Sequence, residues 1–373
     1  MKKLFFNQTL TMGIFLFLVL FSVKIFAEDV SPITITQLER PIIRYEVIVP
    51  DVGEFVTLKC DFHMHTVFSD GRVWPDLRVV EAWVTGLDAI AITDHIENDK
   101  RRPFLSGDDN SSYELAKGAA ERYGIILIRG GEITREQPYG HYNALFLKDV
   151  NLVDNEDPFT AIENAVKQGA FIQWNHPDWN SATRNHFEFQ KKLLDKGYLH
   201  GVEISNGADW YPHVIDWALE NNLTMMGNSD LHGLIMGEFH LDKFQRPMTL
   251  VFAKEKTEQG IREALDNKRT VVWIADLING REEWVSKLFL SCVHFGKIQI
   301  TNPEKKEGQI RLENVSDIPW SLKLMGPVAQ GTYRLEPRSS MLVRTRGQGN
   351  AKVVVTNAWV KTGTNLQMEI NLE

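Results

Sequence analysis

The chain has 373 residues, 43% hydrophobic and 24% charged, the balance of an ordinary globular protein with room for one large domain or a barrel with an appendage. Lys and Arg number 41 against 49 Asp and Glu, a formal net charge of -8 that becomes -11 if a leader carrying Lys2, Lys3 and Lys24 is removed. Such acidity argues against a duplex nucleic-acid partner, whose affinity comes from Lys and Arg against phosphate.

Residues 1–27 have the outline of a secretory signal: Lys2 and Lys3 precede an uncharged apolar run from Leu10 to Val23, and the segment closes on Ala27. The alternative is a membrane anchor, although the run is short for a span of about 20 residues. Cleavage after Ala27 is expected, giving a periplasmic or secreted protein with no stable membrane partner. Cys60 and Cys292 lie in apolar, strand-like surroundings. They read as two buried free thiols, though an oxidising compartment would permit a bond.

After an irregular lead-in over residues 28–43, Tyr45–Val49 is expected to form a strand. A turn at residues 50–53 leads into a second, Phe55–Cys60, which runs into His63 and His65. Side chains i and i+2 of a strand share a face, so both imidazoles can grip one cation, with Asp70 close behind. A helix from Pro75 to about Thr85 is followed by the strand Leu87–Thr93, ending in Asp94-His95. The design then repeats. A helix near residues 112–123 precedes the strand 125–128, with Glu132 just beyond it. His141 instead precedes the apolar run 142–147 and is the least regular placement. A helix around 158–168 leads to the strand 170–174 and His176. Helices near 186–196 and 212–221 flank the strand 201–204, and the strand 223–226 ends in Asp230 and His232. The strand 248–252, a helix near 257–267 and the strand 270–274 close the series.

Alternating strands and helices predict parallel βα units. Ligands gathered where strands end predict a barrel with its site at the C-terminal mouth. An open doubly wound sheet is the rival, but it usually signals its site with a Gly-rich first turn, which is absent. From about residue 285 the pattern changes to short alternating runs, read as a small antiparallel β module. The expected division is therefore 1–27, 28–284 and 285–373. Trp320, Tyr333 and Trp359 are either an exposed aromatic platform in that module or core residues.

The donors His63, His65, Asp70, His95, Glu132, His141, His176, Asp230 and His232 suit Zn²⁺, Mn²⁺ or Fe²⁺. They exceed what a single ion uses, so two or three divalent ions are expected, with Glu132 as a bridge and hydrolysis as the chemistry. The ordered set Asp-x-His-x-His, Thr-Asp-His, Gly-x-Glu-Ile, Asn-His-Pro and Ser-Asp-x-His over roughly residues 55–275 resembles the polymerase and histidinol phosphatase (PHP) superfamily. That resemblance implies an α/β fold, a distorted (β/α)7 barrel, with a trinuclear metal site. Residues 67–75, 132–135 and 174–177 look like its secreted bacterial phosphodiesterase branch, which also carries a C-terminal β module and is linked to phosphodiesters, including organophosphate-derived ones. All nine donors match, although Asp70 stands where some relatives have His.

The expected substrate is a small phosphodiester, attacked at phosphorus by a hydroxide bridging two ions. Arg135 is assigned to the phosphoryl oxygens and Asp230 to proton relay toward the leaving group, with a surface role as the alternative for Arg135. Asn206, Tyr211 and Trp179 are candidates for the leaving-group pocket, with core or turn roles as their alternatives. Asp61 and Asp94, beside ligands, are expected to orient imidazoles. A phosphomonoesterase of the same fold, an amidohydrolase and a non-catalytic metal-stabilised binding module are the rival readings.

Overall fold

Short runs of apolar, partly β-branched residues between helices make strands buried on both faces. The computed structural model describes residues 42–97, 104–177 and 188–373. Its first strands, β1 (Val56–Asp61), β2 (Ala89–Ile92) and β3 (Ile126–Arg135), lie parallel. β4 (Gly140–Leu145) then runs antiparallel to β3 and to β5 (Phe171–Trp174). β6 (Gly201–Asn206) resumes parallel to β5; β7 (Asp209–Trp210) is a short hairpin return on β6, and β8 (Thr224–Asn228) is parallel to β6. On the other side of β1 come β9 (Met248–Ala253), β10 (Thr270–Ile274) and β11 (Leu277–Gly280), each antiparallel to the one before.

The reversal of β4 explains His141. An antiparallel strand enters at the mouth where its neighbours leave, so a ligand at its first residues joins ligands at their last. The helices α1 (Pro75–Val84), α2 (Ser111–Tyr123), α3 (Pro158–Lys167), α4 (Glu188–Asp195), α5 (Val214–Glu220), α6 (Ile235–Glu238) and α7 (Glu258–Asp266) alternate with the strands, and α8 (Glu282–Cys292) follows β11. Pro75 and Pro158 open α1 and α3 where an N–H has no intrahelical partner, and Asp157 caps α3 through the Thr160 N–H. Tyr45–Val49 forms no strand among the described residues: the Tyr45 N–H donates to the Val84 carbonyl at the end of α1, and Ile48 exchanges its N–H and carbonyl with Asp317, which lies in a bend and not in a strand.

The fold is a distorted barrel that does not close by a ladder. Where β8 faces β9 and β10, threonine side chains take over. Thr249 Oγ1 accepts from the Gly227 N–H at 3.0 Å and donates to its carbonyl at 2.9 Å, and Thr270 Oγ1 donates to the Met225 carbonyl at 2.8 Å. A Cβ on Gly227 would collide with Val272, so glycine is required at this approach.

Beyond α8 the antiparallel module forms two sheets. One comprises β12 (Val293–Phe295), β13 (Gln299–Asn302), β14 (Glu307–Asn314) and β17 (Ser340–Thr345). The other comprises β15 (Trp320–Met325), β16 (Gly331–Leu335), β18 (Gly349–Lys361) and β19 (Thr364–Leu372), and it continues the barrel sheet because β18 pairs in parallel with β11. Trp320 is fully buried against Phe289, Tyr333 packs on the core, and Trp359 stacks edge-on against Trp210, so they are packing residues rather than a platform. Cys60 and Cys292 are free and buried. Among the described residues no helix is long and apolar enough to cross a membrane, and the segment 1–27 lies outside them.

At the end of the barrel opposite the ligands, His200 Nδ1 accepts the Ile172 N–H at 3.0 Å. Burial and the Arg262 charge hold the ring down at about 4, below the unfolded value of about 6.5, so the unfolded chain takes up the proton first. This contribution is complete above about pH 6.5 and is lost as the pH falls toward about 4. In urea unfolding of metal-free protein, the wild type should lose about 1–3 kcal/mol more than His200→Asn between those limits.

Candidate metal centre

Beyond β1 the chain stays extended, so Phe62 and Met64 turn into the core while His63 and His65, equally buried, share the other face. The Asp230 N–H donates to the His63 carbonyl at 2.9 Å, and the His65 N–H donates to the Leu231 carbonyl at 2.8 Å. This pairing suspends Asp230 and His232 over the same opening. The chain then folds back at Gly71, where a Cβ would lie 2.6 Å from both the His65 carbonyl carbon and the Thr66 nitrogen. Only glycine allows so close an approach. His95, just past β2, pairs with Glu132 on β3. Two candidate ligands, His176 and Asp230, have left-handed backbones, φ 26° and 53°, which is strained for residues other than glycine.

The donors fall into three overlapping groups: His65, Asp70, His95 and His232; His63, Glu132 and His176; and His63, His65 and Asp230. Within each, the ligand atoms lie within 4.8 Å of one another. Donors bound about 2.1 Å from one ion stand about 3.0–3.4 Å apart. His63 Nε2 and His65 Nε2 are 3.2 Å apart, and Asp230 Oδ1 is 3.2 Å and 3.0 Å from them. Asp70 Oδ1 is 3.2 Å from His232 Nε2, and Glu132 Oε1 is 3.2 Å from His141 Nδ1. Asp230 Oδ1 is buried yet makes no hydrogen bond, although two ring nitrogens flank it. Such an oxygen fits a shared cation. His141 stands beside Glu132 but outside the three groups.

Burial disfavours every charge here, and the neighbours decide the outcome. Against burial, Asp230, Glu203 and Glu132 hold His63 up at about 10, and Glu132 and Asp70 push His95 to about 11. Burial and repulsion from His95 instead bring His65 down to about 4. Burial also opposes ionised Glu132, Asp70 and Asp230, yet the surrounding imidazoles keep all three well below the usual carboxylate range. Carboxylates kept ionised out of water need cations beside them, and divalent ions supply that charge without protons.

The layer behind the donors differs in part from the sequence reading. Asp94 accepts from Thr66 N–H at 2.6 Å and from Thr66 and Ser69 hydroxyls at 2.6 Å and 2.7 Å, so it ties down the Asp70 loop rather than a ring. Asp61 pairs with the buried Arg246 and accepts from Ser229, fixing the chain before Asp230; it too touches no imidazole. The carboxylate that does hold a ring is Glu203, 3.0 Å from His63 Nδ1 and fully buried. The sequence signal for it is an acid between Val202 and Ile204 on a strand buried throughout. Arg78, buried on α1, also escaped notice; it donates to the carbonyls of His65, Leu231 and Gly233, joining both ligand loops.

A cleft of about 890 Å³ opens over the donors, lined also by Glu97, Arg135, Glu136, Asp154, Glu156 and Trp174. Arg135 reaches this cleft, but its guanidinium is engaged by the Glu97 carboxylate and by the carbonyls of Thr134, Asn155 and Glu156. Asn206 lies below the donors, where it donates to Glu203 at 2.8 Å. Tyr211 is buried in the core around α5 and does not line the cleft. Trp179 lies outside the described residues.

No family model matches the chain. It is 38% identical over 196 residues to an uncharacterized protein of Methanocaldococcus jannaschii, covering 49% of this chain and 86% of that one. A solved Bacteroides vulgatus structure, a two-domain protein containing a predicted PHP-like metal-dependent phosphoesterase, is 40% identical, with a TM-score of 0.84 over 88% of this chain and 99% of that one. The chain belongs to the PHP superfamily of metal-dependent phosphoesterases. A Bifidobacterium adolescentis protein proposed to be a metal-dependent phosphoesterase is 16% identical, with a TM-score of 0.39 over 55% of this chain and 95% of that one.

Two outcomes are expected of this PHP phosphoesterase. Restoring Mn²⁺ or Zn²⁺ to chelated protein at about a hundred times its Kd should stabilise the fold by ~2.7 kcal/mol, and Glu132→Ala should abolish most of that gain in thermal unfolding. Gly71→Ala, which displaces the Asp70 loop, should lower bound metal per chain by mass spectrometry while leaving the far-UV circular dichroism unchanged.

Proposed function

We propose that this phosphoesterase is a phosphodiesterase acting on small diesters, organophosphate-derived ones among them, with two or three divalent ions drawn from Zn, Mn and Fe. The observation that carries the preference for a diester is the charge of the cleft. Among the described lining residues Arg135 is the one Arg or Lys, and Glu97 already balances it, while Glu136, Asp154 and Glu156 stand exposed. A monoester dianion would bring an additional negative charge with no free Lys or Arg among these residues to meet it. A diester carries only one.

The nine donors would hold divalent ions, which when bound would supply Lewis-acid activation of water and charge against the phosphoryl oxygens. The chain's own part is to hold the donors rigid, to keep water out beneath them, and to offer Asp230 at the cleft wall as the group that relays a proton to the leaving oxygen. Arg135 acts indirectly in this reading, bracing the rim through Glu97 and the residue 155–156 carbonyls. The acidity of the whole chain supports a small molecule over a duplex nucleic acid as partner, and the leader-like segment before residue 28 supports a periplasmic or secreted site of action.

The deciding comparison is hydrolysis of bis(p-nitrophenyl) phosphate beside p-nitrophenyl phosphate by protein of measured metal content, with His63→Ala as the control. A kcat/KM at least ~10-fold higher for the diester, lost in the variant, is expected. Preference for the monoester would replace this reading with that of a phosphatase.

A further inference from the structure

Five donors converge on one buried carboxylate. Glu203 lies on β6 and has no exposed surface. Its Oε1 is 3.0 Å from His63 Nδ1 and accepts from Gln173 Nε2 at 3.1 Å and Asn228 Nδ2 at 2.9 Å. Its Oε2 accepts from the His176 N–H at 2.8 Å and Asn206 Nδ2 at 2.8 Å. These partners come from the ends of β1, β5, β6 and β8, so a single side chain ties together strand ends that carry candidate ligands.

The chemistry of the contacts is specific. Glu203 Oε1 offers His63 Nδ1 an acceptor. Nε2 also faces carboxylates, Asp230 Oδ1 at 3.2 Å and Glu132 Oε1 at 3.5 Å, but it does so on the side where the candidate ligands gather; with an ion there, Nε2 would give its lone pair and the one proton of the ring would be left on Nδ1, facing Glu203. The second oxygen grips a backbone N–H at a strained place: His176 has φ 26°, and its Nε2 is 3.5 Å from the same Glu132 oxygen. We propose that Glu203 is a positioning residue for the metal centre, fixing His63 with its proton on Nδ1 and Nε2 open to an ion, and locking the backbone of His176 beside it. It would act on an ion held by His63, Glu132 and His176 without touching that ion. The inference rests on the metal-binding reading and is independent of which phosphoester is the substrate.

Glu203→Gln isolates the effect. An amide offers one acceptor oxygen and puts an NH2 against donors that had a carboxylate, at almost unchanged volume. Metal affinity, measured by competition with a chromogenic chelator for Zn²⁺, should fall by about 10- to 100-fold. In the His63→Ala background the same substitution should cost much less, because most of its effect passes through that ring. An unchanged affinity in Glu203→Gln, or equal losses in the two backgrounds, would overturn the proposal. Glu203→Gln can also fail to fold. Nitrogen NMR of the zinc-loaded wild type, with histidine labelled and His63 assigned by its loss in His63→Ala, then decides: a proton on Nδ1 is expected, and one on Nε2 sinks the idea. A wild type that takes up no zinc would instead remove the metal-binding reading, and this inference with it.

Discussion

His63 stands between carboxylates on both of its ring nitrogens, Glu203 behind and Asp230 with Glu132 in front; His63, Glu203 and Glu132 are withdrawn from bulk water, and Asp230 keeps one edge on the cleft. A buried acid stays ionised only beside positive charge, and here the imidazoles around Glu132 and Asp230 supply it. The arrangement is therefore stable only if imidazoles and ions crowd one place, and each element of the barrel is aimed to bring them there. The strain at His176 and Asp230 and the tight fold-back at Gly71 are local costs of that crowding. They persist because the strands beneath hold the chain in register.

The barrel accommodates this by being incomplete. A fully laddered barrel would fix β8 against β9, but β8 must rise beyond the sheet so that the segment after it can pair with the chain around His63 and His65. Threonine hydroxyls at Thr249 and Thr270 satisfy the backbone groups left over, in the polar but ordered manner that a buried gap demands. Distortion of the fold and convergence of the ligands are thus the same fact seen from two sides.

Much of this was legible in the chain. Apolar runs ending in His63, His95 and Asp230, the last two each preceded by a helix-length segment, carried the alternation of strand and helix. The placement of Pro75 and Pro158 fixed two helix starts. What was not legible depended on long-range pairing. The direction of β4 is set by its partners, so His141 looked irregular until the reversal brought it to the mouth. Tyr45–Val49 has the composition of a strand, but among the described residues it bonds to a helix end and a bend instead of a strand, since composition supplies propensity and pairing supplies the strand. Glu203 hid in plain view, because an acid in an apolar run acquires meaning only when the ring facing it is known. Asp61 and Asp94 lie near the site as expected, yet Asp61 is committed to Arg246 and Ser229 and Asp94 to Thr66 and Ser69, instead of to rings.

The parallel pairing of β11 with β18 has a consequence for how the protein is made. β11 is the outer strand of the barrel part of the sheet, and β18 lies well downstream, at Gly349–Lys361. Until that segment leaves the ribosome, the barrel shows an open edge of unpaired N–H and C=O groups, the feature by which strands of different chains adhere. The C-terminal strands thus serve as an edge guard as well as an appendage, and separating them from the barrel would expose a sticky border rather than free an independent enzyme.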